Sequence, residues 1–173
     1  VYERGCEMHR LVERDARGES GYRMGVIRPH YAGFTEADAD ALVDAIAKET
    51  GEPLQIVNYN IQGRQYSVVG KIAAIGVLKQ RLEERTAPGA KAPYIEVPGI
   101  DVPFHSRVLE SGVARFRETL DSRFPAVIPV HTLVGRYIPN LVPRVFNVSR
   151  EYVQEVFDYT GSEPLEALLA KWE

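Results

Sequence analysis

Between Tyr22 and Pro98 the sequence switches between two periods in a fixed order, and that order leaves few topologies open. In YRMGVIRP, Tyr22, Met24 and Val26 alternate with other residues, the period of a strand. Thr35 then precedes EADADALVDAIAKET, in which Asp38 approximates a capping box and Ala39, Leu42, Val43 and Ile46 form a helical stripe. Gly51 stands where a helix stop is needed. Two strand-like runs follow, around Leu54–Asn60 and Gln65–Gly70, joined at IQGR with Gly63 as the turn residue. Ile72, Ile75, Leu78 and Leu82 mark a second helix over Lys71–Arg85, and APYIEV a last short strand. The resulting β-α-β-β-α-β order over residues 22–98 predicts a split βαβ, or ferredoxin-like, arrangement.

That last strand runs into VPGIDVPFHSRVLESGVARFRETL, Val97–Leu120. Pro98 and Pro103 fix φ at two points and push their predecessors towards extended backbone. Ser106 is the expected N-cap of a helix whose stripe is Val108, Leu109, Val113, Phe116 and Leu120. His105 therefore falls at a strand-to-helix turn, where a rigid scaffold can hold an imidazole towards a cleft.

The flanks are simpler. VYERGCEMHRLV reads as the middle of a helix, with Tyr2, Cys6, His9 and Val12 on one face and Val1, Gly5, Met8 and Leu11 on another. The lack of an initial methionine and of a cap suggests a piece of a longer chain. Residues 13–21 read as an exposed loop. Beyond the His105 helix, AVIPVHTLV predicts a short strand and RYIPNLVPRVF an extended segment. Two helices follow, one from Ser149 to Gly161 and one begun by Ser162 with Pro164 in its first turn.

Composition excludes several function classes. The 173 residues carry a net charge of −3, with 45% apolar and 26% charged residues, which suits one compact domain or two small lobes. Such a balance offers no electrostatic footprint for nucleic acid or an anionic membrane. No apolar run approaches the roughly 18 residues of a membrane span. With no signal-peptide pattern and Cys6 as the sole cysteine, the cytoplasm is the default compartment. His9, His30, His105 and His131 are scattered, so no metal site is expected.

Phosphate-loop, dinucleotide and Gly-x-Ser-x-Gly patterns are likewise missing, and Ser20 in GESGY is rejected as a nucleophile. His105 thus looks like a base with no nucleophile to activate. Arg4, followed at once by Gly5, could reach into a cleft and hold a carboxylate with both prongs of its guanidinium.

Five ordered motifs carry a wider resemblance: ERGCEMH at Glu3–His9, IVNYNIQGRQYSVVG at Ile56–Gly70, VPGIDVPFHSRVL at Val97–Leu109, GRYIPNL at Gly135–Leu141, and the YTGSEPL ending. Together they resemble the malonyl/acyl transferase region of type I fatty acid synthases, most closely the malonyl/palmitoyl transferase of bacterial and fungal multienzymes. The resemblance implies an α/β fold in which a ferredoxin-like subdomain is inserted into an α/β-hydrolase-like acyltransferase lobe. It implies three parts: residues 1–21 from the large lobe, 22–98 the ferredoxin-like subdomain, and 99–173 the return to the large lobe with the catalytic histidine.

In that family a serine on a Gly-His-Ser-x-Gly elbow takes the acyl group from acyl-CoA and passes it to the phosphopantetheine thiol of an acyl carrier domain. By position, His105 matches the catalytic histidine and Arg4 the arginine that pairs with the free carboxylate of malonyl. Met8, Asn60 and Phe104 match substrate-binding positions. Thr160 matches a residue whose main-chain carbonyl orients the histidine. Phe104 matches the form associated with malonyl or straight-chain acyl groups, where methylmalonyl-selective relatives carry serine, and its ring would disfavour an extra α-methyl by about 1–3 kcal/mol.

The implied substrates are malonyl-CoA or other acyl-CoA and the carrier domain, with no cofactor bound by this chain. The implied partners are the remaining domains of a fatty acid synthase, with no nucleic acid and no membrane. Because the serine elbow is missing from these residues, the chain alone is expected to give no turnover. The competing reading is a noncatalytic docking or scaffold module, with Arg4 and His105 as ordinary structural residues. Convergence of those two side chains on one cleft separates the readings.

Overall fold

A computed structural model describes residues 2–125 and 127–172. They divide into two compact units, Val1–Arg123 and Phe124–Glu173.

The first unit is built on a four-stranded sheet: β1 (Tyr22–Ile27), β2 (Leu54–Ile61), β3 (Gln65–Lys71) and β4 (Tyr94–Glu96), in the order β2-β3-β1-β4. Every neighbouring pair is antiparallel. Helices α2 (Glu36–Thr50) and α3 (Ile72–Arg85) occupy the predicted places in the β-α-β-β-α-β order. The start of α2 is a complete capping box: the Thr35 hydroxyl accepts from the Asp38 amide at 3.2 Å, and the Thr35 amide donates to the Asp38 carboxylate at 2.9 Å. Gly51 ends the helix in the left-handed region, φ 66°.

The core between sheet and helices holds Ile27, Val43, Ile46, Tyr66, Val68, Leu78 and Leu82, all almost fully buried. Each such aliphatic side chain contributes about 1.5–3 kcal/mol over leaving it in water. Two details depart from the sequence reading. On β1 Tyr22 is buried as read, but in the second core, and the other buried positions are Gly25 and Ile27, whereas Met24 and Val26 are half-buried. The reason lies across the sheet: a Cβ on Gly25 would stand 2.3 Å from the Tyr94 ring, so Tyr94 fills the space that Gly25 leaves. On α3, Ile72 is 50% exposed and Ala74 takes the buried place.

Helix α1 (Tyr2–Arg10) does not bury either predicted face, since Tyr2 and His9 are exposed and Glu7 is the buried residue. After β4, the expected continuous helix is two elements. A 3-10 turn over Arg107–Gly112 leads into α4 (Val113–Arg123), none of whose residues is buried. Ser106 precedes the turn but does not cap it with its side chain; its hydroxyl donates back to the Pro103 carbonyl at 2.7 Å.

In the second unit, α5 (Arg150–Thr160) begins at Ser149, whose hydroxyl accepts from the Tyr152 amide, and stops at left-handed Gly161. Helix α6 (Glu163–Leu169) follows, with proline in its first turn as expected. The strand predicted in AVIPVHTLV is replaced by a 3-10 turn at Val130–Thr132, its Ala126 lying outside the described residues. Prolines at 125, 129 and 139 withhold the amide donors that a sheet ladder needs. Among the described residues no strand occurs after Glu96, which corrects the expectation of short strands in residues 99–173. Phe146 packs edge-on to Tyr152 at 5.6 Å between centroids.

Candidate active site

The site is built on a small second core of the first unit. Val12, Tyr22 and Val102 are buried together, with Met8, Phe104, Val108 and Leu109 packed against them. This cluster links the end of α1, the start of β1 and the proline-flanked loop before His105, so side chains from distant parts of the sequence meet on it.

His105 is the only non-glycine residue with positive φ (62°) among the described residues. Left-handed backbone costs a non-glycine residue about 1–3 kcal/mol and persists only where the surroundings enforce it. Here they do. The Phe104 amide donates to the Val102 carbonyl at 2.8 Å, Ser106 donates twice to the Pro103 carbonyl, and the Arg107 amide donates to Gln55 Oε1 on β2 at 3.2 Å. Both sides of the histidine are thus tied down, while its ring is exposed to solvent.

The loop is anchored further back as well. Arg14 meets Asp101 with both prongs, Nη1 to Oδ2 at 2.5 Å and Nη2 to Oδ1 at 3.1 Å. The Ser20 hydroxyl donates to the Asp101 carbonyl, and the Ser20 amide faces the Asp101 carboxylate at 3.4 Å. The guanidinium's hydrogen bond is the main reason the Asp101 carboxyl is held below the usual carboxylate range. Residues 14–20, read from sequence as plain loop, therefore fasten the His105 segment; Arg14 and Ser20 also form a β-bridge.

Arg4, Met8, Phe104 and His105 line one open cleft of about 470 Å³, together with Leu109, Glu110 and Val113. Arg4 and Met8 stand one turn apart on α1, so the helix presents both to the same space. Phe104 and Met8 form apolar wall, Arg4 brings a guanidinium with a fork of N–H donors, and His105 brings an imidazole. A carboxylate-bearing molecule with a reactive centre beside an imidazole is what this set can hold.

Asn60 does not line the cleft. It sits near the end of β2, where its side-chain oxygen accepts from the Ser67 hydroxyl at 2.9 Å. Thr160 closes α5 in the second unit, its hydroxyl donating to the Val156 carbonyl. Two residues that fasten the His105 segment were not read from the sequence: Gln55 and Asp101. Neither carries a local signal, because each acts through a partner distant in the sequence.

No family model matches the chain. Fatty acid synthase subunit beta of Schizosaccharomyces pombe is 34% identical to it over 218 aligned residues, covering 100% of this chain and 10% of that subunit. The chain thus spans about a tenth of the length of the curated relatives it matches. Among solved structures, FabD of Acinetobacter baumannii superimposes with a TM-score of 0.58 at 21% identity, over 90% of this chain and 43% of FabD. A malonyl-transacylase in complex with a type II polyketide acyl-carrier protein superimposes with a TM-score of 0.53 at 21% identity, over 96% of this chain and 55% of its own. The chain is therefore homologous along its whole length to a segment of fatty acid synthase beta subunits, with the mixed α/β fold of part of a malonyl-CoA:ACP transacylase.

Proposed function

We propose that these residues supply the histidine and the carboxylate-binding arginine of an acyltransferase that moves malonyl from coenzyme A to an acyl carrier protein in fatty acid biosynthesis. The observation that carries the reading is the convergence of Arg4 and His105 on one cleft walled by Met8 and Phe104.

His105 accepts the proton of a serine hydroxyl as that oxygen attacks the thioester carbonyl. The same imidazole returns the proton to the departing CoA sulfur, leaving malonyl as a serine ester. In the second half, His105 takes the proton of the phosphopantetheine thiol, whose sulfur displaces the serine oxygen, and the oxygen recovers the proton. Arg4 holds the free carboxylate throughout, which orients the α-carbon and excludes uncharged acyl groups. The serine belongs to a Gly-x-Ser-x-Gly elbow not found among these 173 residues.

The finer assignments belong to the same proposal. Asn60 lies near the acyl group in the assembled enzyme, and the Thr160 carbonyl orients His105. Residues 22–98 are the ferredoxin-like subdomain, supported by the antiparallel order β2-β3-β1-β4 with a helix after β1 and another after β3. Residues 1–21 and 99–173 belong to an α/β-hydrolase-like lobe. Malonyl-CoA or other acyl-CoA and a carrier domain are the substrates, other synthase domains the partners, and the cytoplasm the setting. No cofactor resides on this chain.

The test is transfer of labelled malonyl from CoA to a carrier protein by the full-length gene product. His105→Ala is expected to lower the rate by about 10²–10⁴-fold, the contribution of a positioned acid–base group. Retention of the full rate would overturn the reading and favour a docking module.

A further inference from the structure

Helix α1 carries a buried charge that the chemistry above does not use. The Glu7 side chain is only 8% exposed. Its carboxylate accepts from Arg10 Nη1 at 2.6 Å, within α1, and meets Arg115 Nε of α4 at 3.1 Å. One turn earlier, Glu3 meets Arg123 of α4 at 3.3 Å. One turn later, Leu11 lies against Gly112, where an added Cβ would stand 2.2 Å from a Leu11 methyl. Glu3, Glu7 and Leu11 recur every four residues, so they form one stripe that runs down the helix and one residue past its end, clasped by α4 and the turn before it.

Arg4 and Met8 each follow a member of this stripe, about 100° further round the helix, and they face the His105 cleft. Any rotation of α1 about its axis therefore swings the Arg4 guanidinium relative to His105. An apolar contact such as Leu11 against Gly112 tolerates sliding, whereas a buried carboxylate between two guanidinium groups has one well-satisfied arrangement.

We infer that Glu7 is a positioning residue for carboxylate recognition: by pairing with Arg115 it fixes the rotation of α1 and so aims Arg4 into the His105 cleft. This rests on the malonyl reading above. Glu7 touches no substrate; it acts on selectivity through Arg4.

The experiment measures kcat and KM of the full-length gene product with malonyl-CoA and with acetyl-CoA, which lacks the free carboxylate. Glu7→Ala, Glu7→Gln, Arg115→Gln and the exchange Glu7→Arg with Arg115→Glu are compared with wild type and with Arg4→Ala. Loss of the clasp is expected to raise KM for malonyl-CoA by about tenfold while KM for acetyl-CoA stays within about twofold. The exchange is expected to recover part of the malonyl preference. Arg115 is 64% exposed, so Arg115→Gln keeps the test open if Glu7 variants fail to fold.

Equal changes for both substrates, or none, in Arg115→Gln or in folded Glu7 variants would overturn the inference. If wild type shows no malonyl preference, or Arg4→Ala keeps it, the underlying reading fails instead.

Discussion

Arg14 and Asp101 lie 87 residues apart and are joined by a two-pronged ion pair that fastens the loop before His105 to the loop before β1. The pair matters because the strained histidine between Phe104 and Ser106 keeps its conformation only while the segments beside it are fixed. Asp101 accepts from Arg14 and Ser20, and its own carbonyl accepts from the Ser20 hydroxyl, so a single residue closes both loops.

Asp101 has its folded-state carboxyl lowered, mainly by the Arg14 hydrogen bond. Its contribution is therefore complete above the ordinary aspartate range, about pH 4, and is lost as pH falls through the lower folded value. Asp38, lowered by the Thr35 capping box, acts in the same direction. Asp101→Asn should destabilise the chain near neutral pH, and the gap from wild type should narrow at a pH well below the ordinary aspartate range. Urea unfolding at both pH values reads this; parallel curves would contradict it.

His105→Gly tests the strain. At φ 62° glycine fits without penalty, so stability should hold or rise by about 1 kcal/mol, while acyl transfer by the full-length gene product is lost. Thermal unfolding alongside the transfer assay separates the two effects. A marked loss of stability would mean that the imidazole is structural.

Gly25→Ala should cost about 1–3 kcal/mol, because its new methyl meets the Tyr94 ring. Tyr94→Leu in the same chain should relieve the clash, so the double variant should lose less than the two single losses combined. Strict additivity in a double-mutant cycle would exclude the steric account.

The isolated 173-residue chain should fail to move malonyl from CoA to a carrier protein, since no Gly-x-Ser-x-Gly occurs in it. Radiolabel transfer at rates near those of the full-length gene product would show that another nucleophile serves.

Elements with local signals were legible in the sequence. Thr35 with Asp38, Gly51 and Gly63 each satisfy a nearby backbone demand, and the helix and hairpin they bound occur as read. Features set by distant partners were not legible. The inward parity of β1 depends on Tyr94, 69 positions beyond Gly25, and the burial of Glu7 depends on Arg115. The helix drawn through Arg107–Gly112 failed for a different reason: over six residues, spacings of three and four do not distinguish a 3-10 turn from an α-helix. Of the cleft, the histidine and arginine were readable, whereas the anchors Gln55 and Asp101 act through contacts that no local pattern announces.

If Arg4 and His105 serve one substrate, as proposed, the ratio of malonyl to acetyl transfer by the full-length gene product depends on Arg4. In Arg4→Ala that ratio should fall by at least about tenfold, as expected when a charge-assisted pair is lost. His105→Ala should depress both transfers together. A malonyl preference unchanged in Arg4→Ala would mean that Arg4 and His105 do not act on one substrate.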